Sequence, residues 1–293
     1  MLRRISEVNI HPAFDLYREY EKIEELFSLR KIVFVNKHKN SYISPISIEE
    51  FMASRFLDWH LRGTFTKLDE MRESMQIDRK LIAKTKMKPG ESGERVLLYL
   101  QFLWNCLAYL MKAYEYSKNY SAEIKLSFTE YGGETVVALM GNADALLFRL
   151  NAERYFDEDK KEHVVYYRDT IDDAIVEEHT DIRECLIEYR RVDTIHNLQR
   201  KEEILCTLFK KFESFRNNLK NSGFDSLQSD TGFILNFARH TPHKNDSVAT
   251  KFHSLSNEEK EIWYDKAYNM FVACLAILPY IDAKSGIADL KKI

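Results

Sequence analysis

Six consecutive residues near the C-terminus, Arg239-His240-Thr241-Pro242-His243-Lys244, carry the densest chemistry in the chain. With His253 they hold three of the nine histidines, beside an Arg and a Lys. Imidazole titrates near neutral pH and ligates metals, so the cluster is the first candidate site. Pro242 disfavours helix at Thr241, which puts His240 and His243 in a turn and not on one helix face. In a turn both rings can reach one ion. Asp246 and His253 would complete a set suited to zinc or another borderline divalent metal. The other chemistry open to the segment is anion binding. Arg239, His240 and Lys244, with His243 beside them, would hold a phosphate through a guanidinium fork and a point charge. The plainer alternative is a polar loop packed on helices, its imidazoles bonded to backbone or water.

A second candidate is Arg191-Val-Asp-Thr-Ile-His196. This Arg-x4-His spacing resembles the ribonuclease motif of HEPN domains, helical modules of toxin and phage-defence systems. The resemblance covers six residues. It implies an Arg and a His that converge across a dimer interface on a scissile phosphate, and so a nucleic-acid-processing protein. In an unbroken helix five residues turn through about 500°, leaving the two side chains about 140° apart. They converge only where the helix breaks. Otherwise Asp193, His196 and Arg200 are neighbours on a solvated helix face. The same spacing recurs at Arg55 and His60. There the turn Trp59-His60-Leu61-Arg62-Gly63-Thr64 offers an aromatic and basic pocket, or else a core Trp with Arg62 at a helix C-terminus.

The chain lacks a Gly-x-x-x-x-Gly-Lys phosphate loop, a Gly-x-Gly-x-x-Gly, a Gly-x-Ser-x-Gly elbow and a His-Glu-x-x-His pair. These absences argue against the common nucleotide-dependent and serine-hydrolase mechanisms. The 46 acids offer many carboxylate pairs, which spacing in sequence does not place in space.

The 293 residues are 45% hydrophobic and 30% charged, an ordinary composition for a folded protein. A net charge of −3 favours neither nucleic acid nor membrane. Local charge is less even. Residues 153–188 hold 13 acids and 5 bases, net −8, and residues 189–220 hold 8 bases and 4 acids, net +4. Blocks of this kind predict a protein partner or a second copy of the chain, with nucleic acid as the other partner class. Cys106, Cys185, Cys206 and Cys274 are far apart and make neither a zinc spacing nor a disulfide framework. Reduced thiols in a cytoplasmic protein fit them best. The start Met1-Leu2-Arg3-Arg4 leads into no apolar run, which argues against a signal peptide. The apolar run Val96–Met111 is 16 residues long, short of the about 20 that a membrane span needs, and predicts a buried helix.

The elements that must position these groups follow from periodicity. Residues 13–29 read as an amphipathic helix and 31–36 as a strand. Ser47-Ile-Glu-Glu50 is a capping box opening a helix through Trp59, and Ser256-Asn-Glu-Glu259 is another. A helix from Glu94 to Lys118 is apolar on most sides and belongs at a centre, after a basic loop at 84–93. Residues 122–168 read as a small antiparallel sheet: 124–128, a hairpin back through 135–140, then 145–150 and 163–168. Helix returns from Thr170. Residues 180–220 form one long helix or a bent pair, a helical piece covers 232–238, and a last helix ends before Pro279.

The expected fold is α+β and predominantly α-helical, with a small antiparallel sheet in the middle of the chain. A helical part (1–120), the sheet (121–168) and a second helical part (169–293) are expected to form one unit. The expected function is an intracellular binding or assembly protein with an anion or metal site at 239–253. The alternative is a metal-dependent or HEPN-like nuclease.

Overall fold

The computed structural model describes residues 16–36, 44–74, 89–119, 125–237, 252 and 254–291. The fold is predominantly α-helical α+β with small antiparallel sheets. The chain clusters into two compact units, Met1–Val165 and Tyr166–Ile293.

The first unit is built around helix α4 (Pro89–Asn119). Val96, Leu100, Leu103, Leu107 and Leu110 are buried on one side of it, and Tyr99, Phe102 and Cys106 on another. By length and composition Gly93–Asn119 would cross a membrane, yet most of it is buried inside the protein. It is a core helix. Around it pack α1 (Leu16–Ser28), α2 (Ile48–Arg55) and α3 (Leu68–Ser74). Rings lock these layers: Tyr20 meets Tyr99 edge-on at 4.9 Å, and Trp59 meets Phe102 at 6.0 Å. The Ser47 box is formed, with the Glu50 amide donating to Oγ and the Ser47 amide donating to the Glu50 carboxylate. Pro89 opens α4, because the first helical position needs no amide donor. The basic loop expected at 84–93 therefore gives way to helix at its last five residues.

Strands β1 (Val33–Asn36), β2 (Pro45–Ile46) and β3 (Lys125–Phe128) form an antiparallel sheet in the order β2-β1-β3. Val33 lies opposite both Ile46 and Phe128. A separate pair, β4 (Ala152–Asp157) and β5 (Glu162–Tyr167), closes a tight turn.

The sheet expected over 121–168 needs correction. Residues 135–140 and 145–150 are not strands; helix α5 (Gly132–Arg149) takes both. Its buried positions, 132, 136, 139, 143, 146 and 147, repeat at helical and not at strand spacing. Gly132 is required at its start, since a Cβ there would collide with the Ile32 carbonyl.

The second unit is a helical assembly. It holds α6 (Thr170–Glu178), α7 (Arg183–Tyr189), α8 (Leu198–Asn221), α9 (Asp225–Phe237) and α10 (Asn257–Leu290). Leu205, Leu208, Phe212 and Phe271 lie in its core. The expected 180–220 segment is a pair of helices divided by a turn at 190–197. The piece expected at 232–238 begins seven residues earlier. The last helix does not end before Pro279 but runs through it to Leu290. A proline removes one helical hydrogen bond. Ile277, Leu278 and Ile281 pack on the core on both sides of it and hold the helix together.

Candidate ligand groove and the placement of the sequence candidates

Of the sequence candidates, Arg239, His240, His243, Lys244, Asp246 and His253 lie outside the described residues. Phe252, next to His253, is buried and packs on Tyr264 at 5.7 Å. Among the described residues, no group of three His, Cys, Asp or Glu side chains is placed to hold a metal ion.

Arg191 and His196 fall in the turn between α7 and α8, so the helix does break between them. Even so, each is engaged by a different carboxylate. The Arg191 guanidinium is buried and forks onto Asp193 at 2.7 and 2.9 Å. His196 adopts φ +63° and is exposed. Its backbone amide donates to Glu261 at 2.9 Å, and its Nδ1 lies 2.8 Å from the other Glu261 oxygen. Glu261 also accepts from the buried Lys201 at 2.7 Å, and Lys201 reaches Asp265 at 2.9 Å. Burial alone would raise the Glu261 carboxyl, but the Lys201 and His196 hydrogen bonds bring it down to about 2. This is a closed ionic clasp tying the 190–197 turn to α10. The acidic and basic blocks also meet inside this unit, through Arg190–Asp173, Arg200–Glu188 and Lys211–Asp181 at 2.7–2.9 Å.

The other Arg-x4-His pair is placed differently. Arg55 and His60 both line a groove of about 980 Å³ in the first unit. α2 ends at Arg55, and two 3-10 turns, Phe56–Asp58 and His60–Arg62, carry the chain around the groove's edge. Arg62 does not face the groove. Its guanidinium fastens the turn by donating to the carbonyls of Leu57, Gly63 and Phe65. Gly63 takes φ +56°, a conformation costly for other residues.

One face of α4 forms the wall. Asn105, Ala108, Tyr109, Lys112, Ala113 and Tyr116 recur every three or four residues along it. Asn105 is buried and fixed, exchanging two hydrogen bonds with the His163 backbone at 2.6 and 3.0 Å. That exchange docks β5 against α4. Phe156 and Lys161 reach the groove from the β4–β5 hairpin, and the Lys161 carbonyl lies 3.2 Å from His60 Nε2. Trp59 lines the groove while almost wholly buried, and its indole Nε1 has no hydrogen-bond partner among the described residues.

The groove's charge differs from that of the whole chain. Three cations line it, Arg55, Lys112 and Lys161, against one carboxylate, Asp58. Asp58 sits 3.9 Å from Arg55, at the limit of an ion pair. Lys161 is paired with Glu158 at 2.8 Å. No carboxylate pairs with Lys112 among the described residues. Behind the hairpin, Arg154 stacks on Trp104 at 3.4 Å and is held by Asp144. Burial, and then Arg154, push His163 down to about 4, so it is neutral near pH 7.

Reasoning from the sequence reached the Trp59–His60 turn and the Arg55–His60 spacing. It missed Lys112, Tyr116, Phe156 and Lys161. The available signal was Lys112, the first charge after the apolar run Val96–Met111, with Tyr116 one turn further along the same helix. No protein-family model, curated protein or solved structure matches this chain.

Proposed function

We propose that this chain is an intracellular binding protein whose first unit takes a ligand combining planar rings with negative charge, that is, a short single-stranded nucleic acid or a nucleotide. One observation carries the reading: three cations and one carboxylate surround aromatic walls in a groove of about 980 Å³, within a chain of net charge −3. Single-strand recognition uses basic side chains along the backbone and aromatic faces for the bases. Tyr109, Tyr116 and Phe156 supply those faces, and Arg55, Lys112 and Lys161 the charge. The volume is at the upper end for a small-molecule pocket, about 300–1,000 Å³, and leaves room for more than one nucleotide.

Fluorescence anisotropy with labelled single-stranded RNA and DNA, a duplex, and free nucleotides tests this. Single strands are expected to bind. Three phosphate contacts at about 0.7 each give a slope of about −2 for log Kobs against log salt. Lys112→Glu should weaken binding at least tenfold and leave the thermal midpoint in place. Tyr116→Ala should cost about 1–3 kcal/mol of stacking. Nucleotide binding without strand binding narrows the ligand to the small molecule. No binding of any probe at 100 μM protein overturns the reading. The same samples on a denaturing gel test the nuclease alternative. Cleavage abolished by His60→Ala and kept in His196→Ala would assign it to the groove.

A further inference from the structure

We propose that Lys161 is the groove's exchangeable anion contact: in the free protein Glu158 occupies it, and a phosphate of the bound ligand takes over from Glu158. This inference rests on the reading of the groove as an anion site and names the pair that regulates it. The backbone singles Lys161 out. Among the described residues three non-glycines take positive φ: Asn151 at +54°, Lys161 at +55° and His196 at +63°. Asparagine tolerates this conformation, and two hydrogen bonds to Glu261 hold His196 in it. Lys161 has neither advantage. It closes the turn of the β4–β5 hairpin, where glycine would take the same angle with no Cβ to crowd the backbone. The turn itself is fastened elsewhere, by the Asp157 carboxylate, which accepts from the amides of Asp159 and Lys160 at 3.0 Å each.

The lysine side chain gives the fold little in return. Its ion pair with Glu158, at 2.8 Å, joins side chains that are 59% and 77% exposed. Exposed pairs of this kind contribute little stability, because water competes for both ends. The Lys161 carbonyl lies 3.2 Å from His60 Nε2, and a glycine carbonyl would serve that contact equally well. What glycine could not supply is a cation on the groove's lining, where Lys161 is one of three. Strain kept at a position whose side chain lines a cavity points to a contact made for a ligand. Glu158 is not among the groove-lining residues. It holds Lys161 from the turn, and so competes with an incoming anion without filling the cavity. The exchange needs no backbone movement, since the flexible lysine stem can swing its point charge from carboxylate to phosphate.

Anisotropy of a labelled oligouridylate with the full chain, over a salt series, tests the proposal. One phosphate contact accounts for about 0.7 of the slope and about fourfold in affinity near 0.15 M salt. Lys161→Gly should therefore weaken binding about fourfold and bring the slope from about −2 to about −1.4, while the melting temperature holds or rises. Glu158→Gln should tighten binding about 1.5- to 5-fold, the range that an exposed pair is worth. Combined with Lys161→Gly, that gain should vanish. Lys160→Ala removes the neighbouring cation outside the groove and should leave the slope in place. Binding that Lys112→Glu weakens but Lys161→Gly leaves unchanged in affinity and slope overturns this inference alone. So does a melting temperature that falls in Lys161→Gly, since the lysine then serves the fold, or an affinity that Glu158→Gln does not alter. No binding by the unaltered chain overturns the groove reading and this inference together.

Discussion

The second unit and the groove of the first treat their charges differently. In the second, cation and carboxylate are matched. Arg190, Arg191, Arg200, Lys201 and Lys211 each have an acid within 3 Å. In the first, the buried Arg72 is matched as closely, to Glu24 at 3.1 Å and Glu49 at 2.8 Å. Of the groove cations, Lys161 is matched as well, to Glu158 at 2.8 Å, but the other two are not. Arg55 has Asp58 only at 3.9 Å, and Lys112 has no carboxylate among the described residues. Matched ion pairs at this spacing hold helices together and leave little charge for a ligand. Cations left over around aromatic walls mark where an anion would gain most. The contrast moves attention from the Arg191–His196 turn to the groove.

The largest test of this contrast is the loss of one buried partner in each unit. Arg72→Met leaves Glu24 buried without a cation, since its side chain is 6% exposed. Breaking a buried pair this way costs about 3–5 kcal/mol. Lys201→Met leaves Glu261 still held by His196, and Asp265 about half exposed to water. Its cost should be about half as large. Hydrogen exchange resolves the two units separately, and Arg72→Met should raise exchange in α1–α4 more than Lys201→Met raises it in α8 and α10. Equal effects would mean that the clasp is as sealed as the Glu24 site, and the contrast would fail.

Acid should separate the units next. His163 titrates near 4 in the folded first unit and near 6.5 unfolded. Between those values the unfolded chain takes up a proton that the folded one does not, so stability present above pH 6.5 falls as pH drops toward 4. The full shift would be worth about 3 kcal/mol, but His163 is only half-buried and solvent screens it, so about 1–2 kcal/mol is expected. Glu261 has the opposite chemistry and a lower window. Its stabilisation is present above the ordinary carboxylate value of 4.5 and is lost as pH falls toward about 2. The first unit should therefore loosen at pH 5, with the second intact. His163→Phe should flatten the upper window. Loss of α8 protection at pH 5 would contradict the assignment.

What the sequence revealed, and what it hid, follows from the same physics. Capping boxes at Ser47 and Ser256 were legible because they depend on residues three apart. The core role of α4 was legible because it is apolar on most sides. The segment 132–149 was not. Its exposed Val137, Ala138, Ala145 and Phe148 fill in the face that would ordinarily be polar, and this erased the helical period. Runs such as Thr135-Val-Val-Ala138 then read as strand. The groove was half legible. Arg55 and His60 are neighbours in sequence, but Lys112, Phe156 and Lys161 reach it only through tertiary packing. The pairing of Asp173, Asp181 and Glu188 with Arg190, Lys211 and Arg200 inside the second unit was equally hidden, because charge blocks do not say which chain they face.

The smallest expected effect compares one device in both units. Ser47 and Ser256 each accept a hydrogen bond from the amide three residues on and each begin a helix, at 3.0 and 3.2 Å. Replacing an N-cap serine by alanine costs about 0.5–2 kcal/mol. Their surroundings differ: Ser47 is 1% exposed and Ser256 lies open to water. Without Ser47 Oγ, the Glu50 amide would lose its partner in a place water reaches poorly, so Ser47→Ala should fall near 2 kcal/mol. Without Ser256 Oγ, water takes over at the Glu259 amide, and Ser256→Ala should fall near 0.5 kcal/mol. Urea denaturation of the two variants reads the difference directly. Ser256→Ala costing as much as Ser47→Ala would mean that the start of α10 is shielded from water, and the comparison would fail.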